Sequence, residues 1–154
     1  MITPADIDRA IELTIKLEGG AKYTKNPRDP GGETKYGISK KYNPDLDIKS
    51  LTREQARHIF LTRYWAPLDL DRFAYLPFAW KVFDIAVTQG LATAKRALIA
   101  ISTWDTPDAV FQLARYQMIY YGVKIVESPE KIEFLLGWIS RSFNVGKSLL
   151  EREP

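Results

Sequence analysis

The chain has 154 residues, no cysteine and a formal net charge of +3. This length fits one domain of ordinary size with a real core, and the missing thiols exclude disulfides and a cysteine nucleophile. The mild positive charge suits an anionic polymer but falls short of a nucleic-acid-binding signature, and no apolar run is long enough to span a membrane.

The first helix is announced by Thr3-Pro4-Ala5-Asp6: a Thr cap, Pro at the first helical position and an acid in the first turn. The apolar residues Ile7, Ile11 and Ile15 follow at four-residue spacing, with Ala10, Leu13 and Leu17 beside them. Glu18 falls on the same stripe, the one that faces a core. A carboxylate there is costly unless paired or protonated, and both burial and the negative end of the helix dipole favour the protonated form. A general acid working near neutral pH needs that bias. Gly19 or Gly20 supplies the left-handed residue that ends the helix.

Turn chemistry follows. Asp29-Pro30-Gly31-Gly32 contains a Pro-Gly pair suited to the centre of a type II turn, and residues 34–38 are expected as a short strand returning towards the helix. An acid, a second carboxylate at Asp29 and a hydroxyl at Thr34 are the parts of glycoside hydrolysis. Each motif also has a plain structural reading, as a turn or a C-cap. A Glu on an apolar stripe is the part that such a reading explains least.

A second helix opens at Thr52, with Gln55 completing a capping box, a stripe of Ala56, Ile59, Phe60 and Tyr64, and an end at Pro67. A third opens at Pro77 and buries Ala79, Val82, Phe83, Ala86 and Val87 before Gly90 breaks it. Trp80, Asp84 and Thr88 line its opposite face. They read equally as a solvated or helix-contacting face and as the wall of a sugar-binding groove. Residues 92–102 form a fourth helix. A fifth runs from Thr106 to about residue 126, and a sixth opens at Ser128-Pro129 with Ile132, Leu135, Leu136, Ile139 and Phe143 as its apolar stripe. Trp65, Trp104 and Trp138 are expected in the core or between lobes, and Tyr36 is the better sugar-binding aromatic. Two lobes, 1–76 and 77–154, are expected to share one compact domain.

Three other motifs fail. Gly146-Lys147-Ser148 lacks the glycine of a phosphate loop, because Arg141 stands there. Residues 26–33 lack calcium ligands where Arg28 and Pro30 stand. His58, the single histidine, sits in an Arg-rich helix and reads as a surface residue rather than a zinc ligand or triad base.

Glu18-Gly19-Gly20, the Asp29-Pro30-Gly31-Gly32 turn, Thr34 and Tyr36-Gly37-Ile38 together resemble the signature of glycoside hydrolase family 108. Leu51-Thr52-Arg53-Glu54-Gln55-Ala56 with Tyr64-Trp65 is similar to that family's second helix. Phe83-Asp84-Ile85-Ala86-Val87 and Gly137-Trp138-Ile139 with Arg141 resemble its C-terminal half, described as peptidoglycan-binding. Where the family carries Asn, this chain has Thr88 and Ser140.

The resemblance implies a mainly α, lysozyme-like fold with a small β-hairpin near residues 22–38. It implies an N-acetylmuramidase that cleaves the β-1,4 bond between N-acetylmuramic acid and N-acetylglucosamine. Glu18 would be the catalytic acid, with Asp29 and Thr34 as its partners. The candidate substrate contacts, read from the residues themselves, are Tyr36 and Gly37 beside that site and Trp80, Asp84 and Thr88 on the third helix. This chemistry needs no metal or cofactor. The expected partner is peptidoglycan, with no nucleic acid, no membrane insertion and a monomeric state.

With Asp6 and Asp8 in place of an apolar signal core, synthesis in the host cytoplasm and action on the periplasmic wall are expected, as for a phage endolysin. A bacterial muramidase assisting secretion, a non-catalytic wall-binding module and a basic helical nucleic-acid binder are the alternatives. A hydroxyl able to hold a water beside the second acid favours inversion at the anomeric carbon, which calls for carboxyls ~6.5–9.5 Å apart.

Overall fold

A computed structural model describes residues 1–25 and 32–144. The chain divides into two compact units between Pro67 and Leu68, ahead of the lobe boundary expected at 76/77. Residues 68–73 go with the second unit, where Leu68, Leu70 and Phe73 are buried. There the Phe73 carbonyl accepts from the Ile2 N–H at 3.2 Å, and its ring packs edge-on against Phe78 at 4.8 Å.

The first unit is Thr3–Pro67. Helix α1 spans Pro4–Leu17 and has the expected start: the Thr3 hydroxyl accepts from the Asp6 N–H, and the Asp6 carboxylate accepts from the Thr3 N–H at 2.9 Å. Ala10, Ile11, Thr14 and Ile15 form its buried face. Three short strands follow, β1 (Thr24–Lys25), β2 (Glu33–Lys35) and β3 (Ile38–Ser39), in one antiparallel sheet of order β1-β2-β3. Thr34 pairs with Thr24 on one side and Ser39 on the other.

Helix α2 (Arg53–Phe60) carries the Thr52–Gln55 capping box read from the sequence, and it buries Ala56, Ile59 and Phe60. Two ion pairs, Arg53–Glu12 and Arg57–Asp8, join it to α1. At Leu61 the chain loosens into one π-helical turn, Leu61–Trp65, which turns Trp65 fully inward. His58 is exposed, as expected.

The second unit, Met1–Ile2 with the chain from Leu68 onward, is helical throughout its described elements. Its α-helices are α3 (Leu76–Gln89), α4 (Leu91–Ala100), α5 (Pro107–Glu127) and α6 (Leu135–Asn144). α3 packs against α4 and α5, and α5 against α6. Asp105, itself at φ 58°, anchors the entry to α3: its carboxylate accepts from the Ala74 and Tyr75 N–H groups at 2.8 and 2.7 Å. Gly90 at φ 89° ends α3 and opens α4.

Two expectations are corrected here. The sixth helix does not begin at Pro129. A 3-10 stretch, Pro129–Phe134, precedes α6. Its expected apolar stripe is also not a buried one, since Ile132, Leu136 and Phe143 are exposed, whereas Ser142 is buried with its hydroxyl on the Trp138 carbonyl at 2.9 Å. No helix among the described residues is long and apolar enough to cross a membrane.

Candidate active site

The site is built from the end of α1 outward. Glu18 is the C-cap residue at φ −81°, and Gly19 takes φ 92° behind it. The Gly20 N–H reaches the Ile15 carbonyl at 2.9 Å, and the Gly19 N–H reaches the Lys16 carbonyl at 3.2 Å. This pair of crossed hydrogen bonds is the Schellman stop, which satisfies the last helical carbonyls and needs a left-handed residue at Gly19. Glu18 therefore points from a stiff helix end rather than from a loop. Its Oε1 is shut off from solvent, although the residue as a whole is only half-buried.

The hairpin of β2 and β3 closes over that end. Lys35 pairs with Ile38, leaving Tyr36 and Gly37 as a two-residue turn at φ 54° and 79°. Positive φ at both central positions is the pattern of a type I′ turn, whose twist matches the strands. Glycine adopts it freely, whereas tyrosine does so rarely. The Tyr36 N–H donates to the Gly20 carbonyl at 3.0 Å, tying the turn to the helix stop. A Cβ placed on Gly37 would lie 2.6 Å from Glu18 Cβ and 2.7 Å from its Cγ. The turn thus rests directly on the Glu18 side chain. Residues 34–38, expected as one strand, are instead the end of β2, this turn and the start of β3.

Thr34 stands on β2 two residues before the turn, half-buried between Thr24 and Ser39. Tyr36 is half-buried, with the Lys35 ammonium 5.4 Å from its ring centre. Tyr64, on the π-helical turn, was read from the sequence only as part of an apolar stripe. Burial pushes its hydroxyl above the usual phenol range; Arg63 opposes this, and the negative charge of Glu18 acts in the same direction as burial. A tyrosine at that helix spacing carries no sign in the sequence that it belongs near Glu18. Asp29, and with it the Glu18–Asp29 separation, lies outside the described residues, as do the Pro30-Gly31 turn and Gly146-Lys147-Ser148.

The structure therefore brings Thr34, Tyr36 and Gly37 to one hairpin at the Glu18 end of α1. It treats the other three expected contacts differently. Residues Pro77–Ala86 of α3 are all buried, so the helix presents no open face at Trp80 or Asp84. Asp84 is 0% exposed. Its Oδ1 accepts two hydrogen bonds from Arg141, at 2.9 and 2.7 Å, and its Oδ2 accepts one from Gln117 at 3.2 Å. Thr88 donates to the Asp84 carbonyl at 2.7 Å. A carboxylate so enclosed is a helix-joining group, not a sugar ligand, and the groove wall expected from Trp80 and Asp84 is corrected on that ground. Beside it Lys81, also 0% exposed, donates to Gln117 Oε1 at 2.5 Å and to the Ser142 carbonyl at 2.6 Å.

The model of the family described as Glycosyl hydrolase 108 matches residues 11–90, from mid-α1 through the hairpin and α2 to the end of α3. The chain belongs to this family. It is a glycoside hydrolase, and peptidoglycan is the substrate that its family supports. A solved structure titled "Structure of Brucella abortus SagA" is similar over 96% of this chain and 95% of that one, with a TM-score of 0.73 and 21% identity. That likeness supports the lysozyme-like fold. No curated protein gave a significant match.

Proposed function

We propose that the protein is an N-acetylmuramidase that cuts the β-1,4 bond between N-acetylmuramic acid and N-acetylglucosamine, with Glu18 as the acid that protonates the leaving oxygen. The observation that carries this reading is the seat of Glu18. It is fixed by a Schellman stop, has Oε1 withdrawn from water and is covered by the hairpin turn. General acid catalysis needs a carboxyl held within hydrogen-bond reach of one oxygen, and a stiff helix end supplies that better than a loop.

In this reading Asp29 stabilises the oxocarbenium-like transition state or activates water, and Thr34 orients that water. The biological role we propose is host lysis by a phage endolysin. The protein would be made in the cytoplasm, act as a monomer and attack the periplasmic wall, whose acidic groups suit a chain of net charge +3. The test is turbidity loss of permeabilised Gram-negative cells, with Glu18→Gln as its control. Clearing by the wild type and none by the variant is expected. Wall binding without clearing by either protein would leave a non-catalytic binding module instead.

A further inference from the structure

We infer that Gly37 is a positioning residue for Glu18: the hairpin turn sets the rotamer of the catalytic acid by backbone contact rather than by holding the glycan. The inference rests on the reading of Glu18 as the acid. It revises the expectation that Gly37 touches substrate.

Two independent contacts join the turn to the acid. One is polar, the 3.0 Å hydrogen bond from the Tyr36 N–H to the Gly20 carbonyl, two residues past Glu18. The other is steric, the approach of the Gly37 backbone to Glu18 Cβ and Cγ, so close that a Cβ at 37 would stand 2.6 and 2.7 Å from them. Carbon atoms repel strongly at those distances, since favourable contact begins near ~3.5 Å. The nearest neighbours of that Cβ are the root of the Glu18 side chain, not its flexible tip. Rotation about χ1 moves Cγ but not Cβ, so any side chain at 37 has to shift the backbone of Glu18 or lift the turn from the helix end.

Two separate demands fall on position 37. The left-handed conformation (φ 79°) is one, and it would be met by glycine anywhere. The close approach is the other. Among the other glycines with positive φ in the described residues, Gly19, Gly20, Gly32 and Gly90 each have open space where a Cβ would go. Only the turn glycine that faces the acid has its space taken by that acid. The steric demand is therefore specific to Glu18 and separable from backbone strain.

The experiment compares Gly37→Ala with Gly90→Ala, a change at a similar φ of 89° with no neighbour to strike and no place in the site. Turnover is measured on soluble peptidoglycan fragments and corrected for the folded fraction. Gly37→Ala is expected to lower kcat by about 100-fold, the scale of loss for an ångström of misplacement, with KM within about twofold of wild type. Gly90→Ala is expected to keep wild-type kcat. A kcat for folded Gly37→Ala within about twofold of wild type overturns the proposal, and so does a rise in KM at constant kcat, which marks a substrate contact instead.

A stability cycle keeps the contact testable if Gly37→Ala folds poorly. Glu18→Gly removes the atoms that the new methyl would strike, so the drop in Tm caused by Gly37→Ala should shrink in that background. An equal drop in both backgrounds overturns the contact. Glu18→Gln separates the two levels of the argument: if it keeps its activity, the reading of Glu18 as the acid fails, whereas if it is inactive and Gly37→Ala turns over normally, only the positioning role fails.

Discussion

Arg141 on α6 places both its Nε and an Nη on a single oxygen of Asp84 on α3, at 2.9 and 2.7 Å, while the other Asp84 oxygen accepts from Gln117 on α5. Three helices that are far apart in sequence meet on one buried carboxylate. A charge-assisted pair of this kind is directional, and breaking it by removing one partner leaves a buried group short of hydrogen bonds.

Removing one partner should therefore be costly. Arg141→Met strips the buried Asp84 of both charge-assisted hydrogen bonds and leaves it with Gln117 and the neighbouring Lys81, and a loss of about 3 kcal/mol in unfolding free energy is expected. In a Lys81→Met background, where no second buried cation depends on Asp84, Asp84→Asn combined with Arg141→Met strands no charge and should lose much less. Urea unfolding of the four proteins in the cycle measures this, and a single-mutant loss below about 1 kcal/mol would contradict the role assigned to the pair. The folded fraction of each variant should still clear cells, because Asp84 is fully buried and bonded to the neighbouring helices.

Lys81 gives a pH dependence whose sign is opposite to that of a salt-bridged lysine. Burial lowers its pKa from 10.5 to about 8, with Asp84 opposing the shift and Arg141 reinforcing it. The unfolded chain thus holds this proton more tightly than the folded one, so folded-state stability rises as the proton leaves. Below about pH 8 the full penalty of a buried ammonium is present, and between about 8 and 10.5 it is relieved. The relief is on the order of 3 kcal/mol at most. Because other groups titrate in the same range, the quantity to measure is the stability of wild type minus that of Lys81→Met, followed from pH 7 to 10.5. It should climb across the window. A flat or falling difference refutes the assignment.

Glu18→Gln keeps the shape of the side chain and removes the proton that the leaving group requires. Clearing of permeabilised cells should fall by ~100- to 10,000-fold at unchanged Tm. More than about a tenth of wild-type clearing would remove Glu18 from the role of acid.

Asp29→Asn and Thr34→Ala should reduce turnover more than wall binding, because interactions at a reacting centre strengthen in the transition state. Sedimentation with purified wall measures binding separately from clearing. Equal losses in both would make these residues binding or structural ones.

Much of the fold was legible in the sequence because it is written in local rules. The Thr3 cap with an acid in the first turn, the Thr52–Gln55 capping box, the Gly19-Gly20 helix stop and the Gly90 break each depend on residues within about five positions of one another, the range over which caps act. Glu18 was singled out for the same reason: its place on the apolar stripe follows from helical period alone. Thr34, Tyr36 and Gly37 were legible as a group through motif resemblance, but their strand-turn-strand geometry was not. A Tyr at φ 54° is a conformation that propensity argues against, and the hydrogen bond to Gly20 helps to hold it.

What the tertiary structure alone decided is which faces are covered. Periodicity assigns α3 one apolar stripe, yet its neighbours α4 and α5, with Arg141 and Ser142 of α6, enclose Lys81 and Asp84 as well. The same period gives α6 an apolar stripe and leaves Leu136 81% exposed on it. A sequence states how a helix would prefer to face; the number and position of its neighbours, set by residues as distant as Asp84 and Arg141, determine whether a charge ends inside and an apolar side chain outside.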